Sequence, residues 1–298
     1  MLEAQPRSPQ VGSRDVDSTA SGTGRHAAHR PFGRLGDLEV RLAASPGEVR
    51  CAQELRYRVF YEEMAAMAEA RTRELRLDAD AFDSICDHLI VLDHGRPGRP
   101  MHRLRAEIVG TCRLLRQEAA DRHGSFYTSM EYHLAPLLER HRGLSFLELG
   151  RSCVMQEYRT RRTLELLWHG IWSYVLMHGV DVMIGCASLG GTDPERLAVP
   201  LSFLHHHARA PEEWSVRAHE EFRVEMNRMD ASAIAPGAAL KALPPLLKGY
   251  LRLGAFVGDG AVVDRQFGTT DVCIILPVAS ISPRYVSHYG ADAGRYAG

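Results

Sequence analysis

The chain has no excess of basic residues. Thirty-six Lys and Arg stand against 37 Asp and Glu, for a net charge of -1 and a pI near 7.0. A bulk nucleic-acid binder needs a clearly basic domain, so nucleic acid is not an expected partner. Close cysteine pairs are also missing. Cys51, Cys86, Cys112, Cys153, Cys186 and Cys273 are widely spaced with no CxxC, and most sit in apolar runs such as "VMIGCASL" and "DVCIILPV". Free thiols in a reducing compartment behave this way, as small buried hydrophobes. No uninterrupted apolar run is long enough to span a bilayer. The N-terminal residues carry no apolar stretch of the secretory kind. The expected location is cytoplasmic, with peripheral contact at the inner membrane left open. Residues 1–36 are poor in large apolar side chains and rich in Ser, Gly, Pro, Thr and Arg. Such a segment cannot offset its ordering entropy, and a disordered tail is expected there. Glu3, Asp15 and Asp17 weaken a transit-peptide reading of it.

The rest, residues 37–298, reads as one domain. Hydrophobic residues are 45% of the 298, enough for a sizeable core. Leu38, Val40 and Leu42 alternate as in a strand. Ser45 and Pro46 then open a helix whose apolar positions run from Val49 to Met67. Residues 87–93 and 107–115 read as strands of an antiparallel hairpin, with "GRPGRP" as punctuation between them. "LSFLELGRSCV" is a strand with a bulge expected near Gly150. A helix from Thr163 to His178 and a strand through "DVMIGCASL" complete a β-α-β unit. "PPLLKGYLRLG" is a short helix stopped by Gly254, and "DVCIILPVASI" is a late buried strand. The class is α+β around a mixed central sheet flanked by helices.

One turn has a chemical character of its own. In "VMQEYRTRRTLELLW" a strand feeds a helix N-terminus, where free amides and the helix dipole favour an anion. Arg159, Arg161 and Arg162 surround it, and guanidinium groups bind phosphate bidentately. The alternative is a solvated basic turn.

This segment resembles the acyl-donor motif of the GNAT superfamily of N-acyltransferases. Val154, Tyr158 and Arg159 stand in step with it, while Arg162 and Leu164 occupy the family's Gly positions. "LELGRSCV", "LRYRVFYEEM", "DADAFD" and "VGTCRLL" are similar, in order, to blocks of acyl-homoserine-lactone synthases. "RSCV…YRTRRTLELLWHGIW", "IGCASLGGTDPE" and the block from "LPPLLKGYLRLG" to "DVCIILPV" look like the bacterial L-ornithine N-alpha-acyltransferases, over about residues 38–290. Some of these blocks are shared with haemolysin-like acyltransferases. The resemblance implies a GNAT-type fold. It implies transfer of a long 3-hydroxyacyl group from acyl carrier protein to the α-amine of L-ornithine, giving lyso-ornithine lipid. No permanently bound cofactor is implied; the phosphopantetheine thioester is a substrate. The lipid product would bring the enzyme near a membrane. An acyl-homoserine-lactone-type synthase using S-adenosylmethionine, or a silent acyl-carrier or lipid-binding protein, are the alternatives.

The resemblance and the residues together nominate a site. Glu148, in an apolar strand, has the raised pKa that suits a general base; its alternative is a salt bridge with Arg151. Tyr250 is the candidate proton donor to the leaving thiolate, against a packed core Tyr. Arg56, Asp80, Asp83, Arg113 and Arg151 are candidate substrate binders. Asp80 and Asp83 could hold the ornithine side-chain cation, or pair with Arg56 and Arg113 to order a loop. Val154, Tyr158, Arg159, Arg161, Arg162 and Thr163 are the candidate donor-binding residues. His205, His206 and His207 are consecutive and cannot converge on one tetrahedral site, so no metal is expected. Cys153 has no His-Asp support as a nucleophile. Trp168 and Trp172 read as core or as the wall of an acyl groove.

Overall fold

Alternating apolar residues at one edge of the fold pair Gly33–Leu35 (β1) with Leu38–Leu42 (β2) as an antiparallel hairpin. In this computed structural model the described residues are 31–98, 106–283, 285 and 296. Asp87–Asp93 (β3), Glu107–Arg116 (β4), Phe146–Val154 (β5), Val182–Gly190 (β6), Arg223–Val224 (β7), Phe256–Asp264 (β8) and Thr269–Pro277 (β9) complete a nine-stranded sheet. Its order is β1-β2-β3-β4-β5-β6-β9-β8-β7. All neighbours are antiparallel except β5 and β6. That parallel pair is the expected β-α-β unit, joined by Arg161–His178. The middle strands are buried along nearly their whole length, as strands covered on both faces must be.

The helices are Pro46–Tyr57 (α1), Ala70–Leu75 (α2), Gln117–His123 (α3), Ala135–Arg140 (α4), Arg161–His178 (α5), Ala198–His207 (α6), Pro236–Ala242 (α7) and Pro245–Arg252 (α8). Ser45 caps α1 by accepting the Glu48 N–H, with Pro46 at its first position. Thr160 caps α5 in the same way through Thr163 N–H. One apolar cluster joins α1 and α5 to the sheet through Val40, Leu55, Leu89, Leu166 and Tyr174. A smaller one gathers Phe126, Leu134, Leu137, Phe146, Ile184 and Ile275. Each fully buried leucine here stabilises the fold by about 1.5–3 kcal/mol over leaving it exposed.

Several boundaries differ from the sequence reading. Strand β1, Gly33–Leu35, lies inside the segment assigned to the tail; residues 1–30 lie outside the described residues. The helix expected to reach Met67 ends at Tyr57, passes through a π-helical turn at Arg58–Glu63, and stops where Ala65 takes φ 59°. Met64 and Met67 are therefore exposed rather than core. The last strand starts two residues early and stops at Pro277, which has no N–H to extend the ladder. Strand β8 was not foreseen: its glycines, Gly258 and Gly260, conceal the alternation. The β3–β4 hairpin is as expected, while part of its "GRPGRP" turn lies outside the described residues.

Candidate active site

Strands β5 and β6 pair only as far as Glu148 opposite Ile184, and then part. Gly185 sits at the parting with φ +157°, and a Cβ there would lie 2.4 Å from the Leu149 carbonyl oxygen. Only glycine tolerates that approach. Past this point a cavity of about 540 Å³ opens between the two strands. Val59, Phe60, Leu164, Leu167, Trp168 and Ile171 give it apolar walls. Arg113, Tyr127, Glu131, Glu148, Arg151, Asp264 and Asp271 give it charged and polar ones.

A bulge brings Glu148 and Arg151 to the same cavity. Gly150 pairs with Arg113 and Cys153 with Thr111, so Arg151 and Ser152 together oppose Cys112. Arg151 itself takes φ 49°, a conformation uncommon for a non-glycine residue. Without the extra residue, strand alternation would aim Glu148 and Arg151 to opposite faces. The two form no ion pair with each other. Arg151 pairs instead with Asp78 at 3.3 Å and Asp80 at 3.5 Å. Its guanidinium lies over the Tyr127 ring, 4.8 Å from the centroid, and over Phe267 at 5.0 Å.

Arg56, Asp80, Asp83, Arg113 and Arg151 are gathered into one network, with Asp78 as a further member. Arg56 is 1% exposed and holds Asp83 through two parallel bonds of 2.7 and 2.8 Å. It also pairs with Asp78 at 2.7 Å. Arg113 reaches Asp80 at 2.6 Å and Asp83 at 3.3 Å. Burial alone would raise the Asp83 pKa. The hydrogen bond and charge of Arg56, with the charge of Arg113, outweigh it and hold the carboxyl below the usual range. Asp80 and Asp83 also cap the short helical turn Ala81–Ser84 reciprocally. Arg113 and Arg151 line the cavity, whereas Arg56, Asp80 and Asp83 stand behind its wall. The paired arrangement of Asp80 and Asp83 with Arg56 and Arg113 is thus present, and neither carboxylate is among the residues that line the cavity.

Glu148 is 4% exposed and accepts three hydrogen bonds. Tyr127 N–H donates at 2.8 Å and Thr128 N–H at 2.6 Å, and the Thr128 hydroxyl donates a third. Burial raises its pKa, and the three donors only partly reverse that. Tyr127 joins the two groups of the site: its amide serves Glu148 and its hydroxyl accepts from Arg151 at 3.2 Å.

The donor-side residues are divided. Val154 ends β5 and lines the cavity with Arg159. Arg159 turns back onto the Val154 carbonyl at 3.0 Å and onto Glu63. Arg161 reaches along α5 to Glu165 at 2.7 Å, largely exposed, and Arg162 bonds the Leu35 carbonyl at 3.4 Å. The three arginines therefore do not converge on one point. Thr163 is buried, its amide taken by Thr160. The Tyr158 hydroxyl is held by Asp93 and its ring by Arg96. Tyr250, on α8, lines the cavity with its ring edge-on to Trp168, 5.4 Å between centroids. Burial pushes its pKa up, so the phenol stays protonated. Burial does the same to the Cys153 thiol, which leaves no thiolate to act as a nucleophile. His206 bonds the Met229 carbonyl at 2.9 Å, and the three histidines fan around α6.

A further acidic group was not foreseen. Glu131, Asp264 and Asp271 each line the cavity, and one oxygen from each lies within 4.8 Å of the others. Burial and the neighbouring Asp271 push the Glu131 pKa up to about 7. Burial raises Asp271 as well.

Comparison with known proteins places this chain in a family. The GNAT acetyltransferase domain model matches residues 55–169. The L-ornithine N(alpha)-acyltransferase of Rhizobium meliloti (strain 1021) is 54% identical over 265 residues, 89% of this chain and 88% of that protein. That of Agrobacterium fabrum (strain C58) is 52% identical over 90% of each. The chain belongs to the L-ornithine N(alpha)-acyltransferase family. It is an acyltransferase of GNAT type. A solved structure of FeeM, an N-acyl amino acid synthase from uncultured soil microbes, aligns at 12% identity with a TM-score of 0.42, covering 81% of this chain and 91% of that one. A likeness that distant has no bearing on the chemistry of this acyltransferase.

Tyr127, Thr128, Glu131, Asp264 and Asp271, which line the cavity, and Asp78, which pairs with Arg56 and Arg151, are not singled out by the sequence. Asp271 could have been found: a charged residue inside the apolar strand "TTDVCIILP" needs a reason to be there. Tyr127 and Thr128 could not, since they sit in an irregular turn whose amides, as well as side chains, serve Glu148 and Arg151, and no sequence period flags such a turn.

Proposed function

We propose that this enzyme moves a long 3-hydroxyacyl group from acyl carrier protein to the α-amine of L-ornithine, giving lyso-ornithine lipid, the first step of ornithine-lipid synthesis. The observation that carries the reading is the 54% identity over 89% of the chain with an L-ornithine N(alpha)-acyltransferase. The cavity suits it: apolar walls for an acyl chain, charged walls for an amino acid.

In the reaction the amine nitrogen attacks the thioester carbonyl, a C–N bond forms and the C–S bond breaks. The proton leaving the amine goes to Glu148, whose raised pKa makes it basic enough to accept it. The departing thiolate takes a proton from Tyr250. Arg113 and Arg151, the two arginines on the cavity wall, hold the amino-acid carboxylate. Arg159 meets the phosphopantetheine phosphate. Arg161 and Arg162, on the outer side of the same turn, steer the acidic carrier protein. A single-chain amphiphile is released, so the enzyme works beside a membrane. Among the described residues no helix is long and apolar enough to cross one.

The test is a mass-spectrometric assay of the purified chain with 3-hydroxyacyl carrier protein, the matching acyl-CoA, and ornithine or S-adenosylmethionine. Acyl-ornithine formed from the carrier protein alone is the expected result. Transfer only to S-adenosylmethionine would replace the acceptor, and no transfer to any amine would favour a silent carrier-binding protein. Arg159→Ala should raise the KM for the carrier donor about tenfold, the size expected for losing a charge-assisted contact. Unchanged donor kinetics would remove Arg159 from the donor site.

A further inference from the structure

Glu131, Asp264 and Asp271 have no role in the chemistry above, yet they crowd one corner of the cavity. None of them forms an ion pair among the described residues. Asp264 accepts the Phe267 N–H at 2.9 Å, and Glu131 faces the Cys186 thiol at 3.3 Å. Asp271 is only 8% exposed. The hydroxyls of Ser188 and Thr269 lie near enough to act on it as hydrogen-bond donors and offset part of the burial cost, yet its Oδ1 makes no hydrogen bond of ordinary geometry among the described residues. The topology keeps it there. Asp271 on β9 pairs directly with Ser188 on β6, and Cys186 follows on the same face by strand alternation.

A buried carboxylate oxygen with no well-placed donor costs stability, and two further carboxyls beside it add repulsion. A cation in the space between them would satisfy all three. We propose that Glu131, Asp264 and Asp271 form the receptor for the side-chain ammonium of the acceptor, so that the enzyme selects a diamino acid over a neutral amino acid. The inference deepens the reading above and rests on it, since it takes the acceptor to be an amino acid acylated at its α-amine.

Three observations favour an ammonium group. One –NH3+ carries three donors, one for each carboxyl of the trio. With the Glu131 pKa near 7, the trio holds less than three full negative charges at neutral pH, which suits a single positive charge. The corner also stands close to the proposed base. The Thr128 hydroxyl that donates to Glu148 lies 3.8 Å from Cys186 Sγ, which in turn touches Glu131. A cationic group joined by a short chain to the reacting amine would fall in this corner. Asp80 and Asp83, the other candidate carboxylates, are already paired with Arg56 and Arg113.

The test compares ornithine with norvaline, which has the same carbon skeleton and no side-chain amine. Purified full-length enzyme is assayed with carrier-bound 3-hydroxyacyl donor, and kcat/KM is measured for each acceptor. The wild type should prefer ornithine. In Asp271→Asn the ornithine-to-norvaline ratio should fall at least about 30-fold, the loss expected for breaking a buried charged contact. Glu131→Gln should lower the ratio in the same direction, and it carries the test if Asp271→Asn does not fold. Folded variants that keep the wild-type ratio would overturn the receptor while leaving ornithine acylation intact. Failure of the wild type to acylate either amino acid would take down the acceptor reading and this inference with it. Calorimetric titration with Mg2+, Ca2+ or Zn2+ alone gives the remaining check: stoichiometric binding abolished by Asp271→Asn would assign the trio to a metal and overturn the proposal.

Discussion

A carboxyl that is costly to bury marks a site better than one that is comfortable. Glu131 holds its proton more tightly in the fold than in the unfolded chain, because burial and then Asp271 push its pKa from 4.5 up to about 7. The hydrogen bond from Cys186 and the charge of Arg151 oppose this, and Asp264 adds to it. A carboxyl raised on folding contributes its stability fully below the unfolded value near 4.5, and that contribution is lost as pH rises through about 7. Glu131→Gln should therefore raise Tm by a few degrees at pH 8 and by little at pH 4.5. After discounting for partial exposure, that is about 1–2 kcal/mol at the higher pH. Thermal melts at the two pH values would show it; an equal shift at both would mean the effect is not the ionisation of Glu131. Glu148 belongs to the other kind. Its three donors make it part of the frame as well as the proposed base, so Glu148→Gln should lower kcat by at least about 100-fold with little change in donor KM. The two carboxyls also differ in how legible they were. Glu148 stands out in the sequence as a lone charge in "FLELG". Glu131 lies in the irregular "SMEYH" stretch, where no periodicity flags a buried acid.

At the scale of elements, the Arg56–Asp83 pair ties α1 to the segment around Ala81–Ser84, and Arg113 ties that segment to β4. Arg56→Met would keep the volume and remove the charge, leaving Asp78 and Asp83 buried without their main partner. The expected loss is about 3–5 kcal/mol, read from urea denaturation midpoints. A loss below about 1 kcal/mol would show that the network is dispensable for stability. Helix α5 carries a different constraint. A Cβ on Gly170 would approach Val40 Cγ2 to 2.5 Å, so Gly170→Ala should destabilise by about 1–3 kcal/mol through overpacking, although alanine is the better helix former. The long elements were legible because their caps and periods are local: Ser45 and Pro46 on α1, the apolar stripe of α5, the alternation of β2. Strand β8 and the true end of α1 were not. The first is held by pairing with β9 across register shifts that its own residues do not encode. The second depends on a π-helical turn and a single left-handed residue, Ala65.

The whole molecule is one sheet with a seam. Strands β1 to β5 pair continuously on one side and β6, β9, β8 and β7 on the other, and the two sides share only the short β5–β6 ladder from Phe146 to Glu148. The cavity lies where that ladder stops, so a ligand in it bridges the sides. The proposed donor residues, Val154 and Arg159, are on the β5 side, while Asp264 and Asp271 of the proposed receptor are on the β8–β9 side. Binding stabilises whatever must be ordered to bind, by about 2.7 kcal/mol at a hundredfold excess over Kd. The two substrates should therefore protect different parts of the fold in hydrogen exchange. Ornithine should slow exchange in the β8–β9 hairpin around Asp264–Asp271, and a non-transferable acyl-carrier analogue should slow it at the end of β5 and the start of α5. With both present, those β6 amides beyond Ile184 that point away from β9, into the gap, should gain protection that neither ligand gives alone. If ornithine instead protected only the β5 side, the assignment of the acidic corner to the acceptor would fail, whatever the kinetics of the arginine turn.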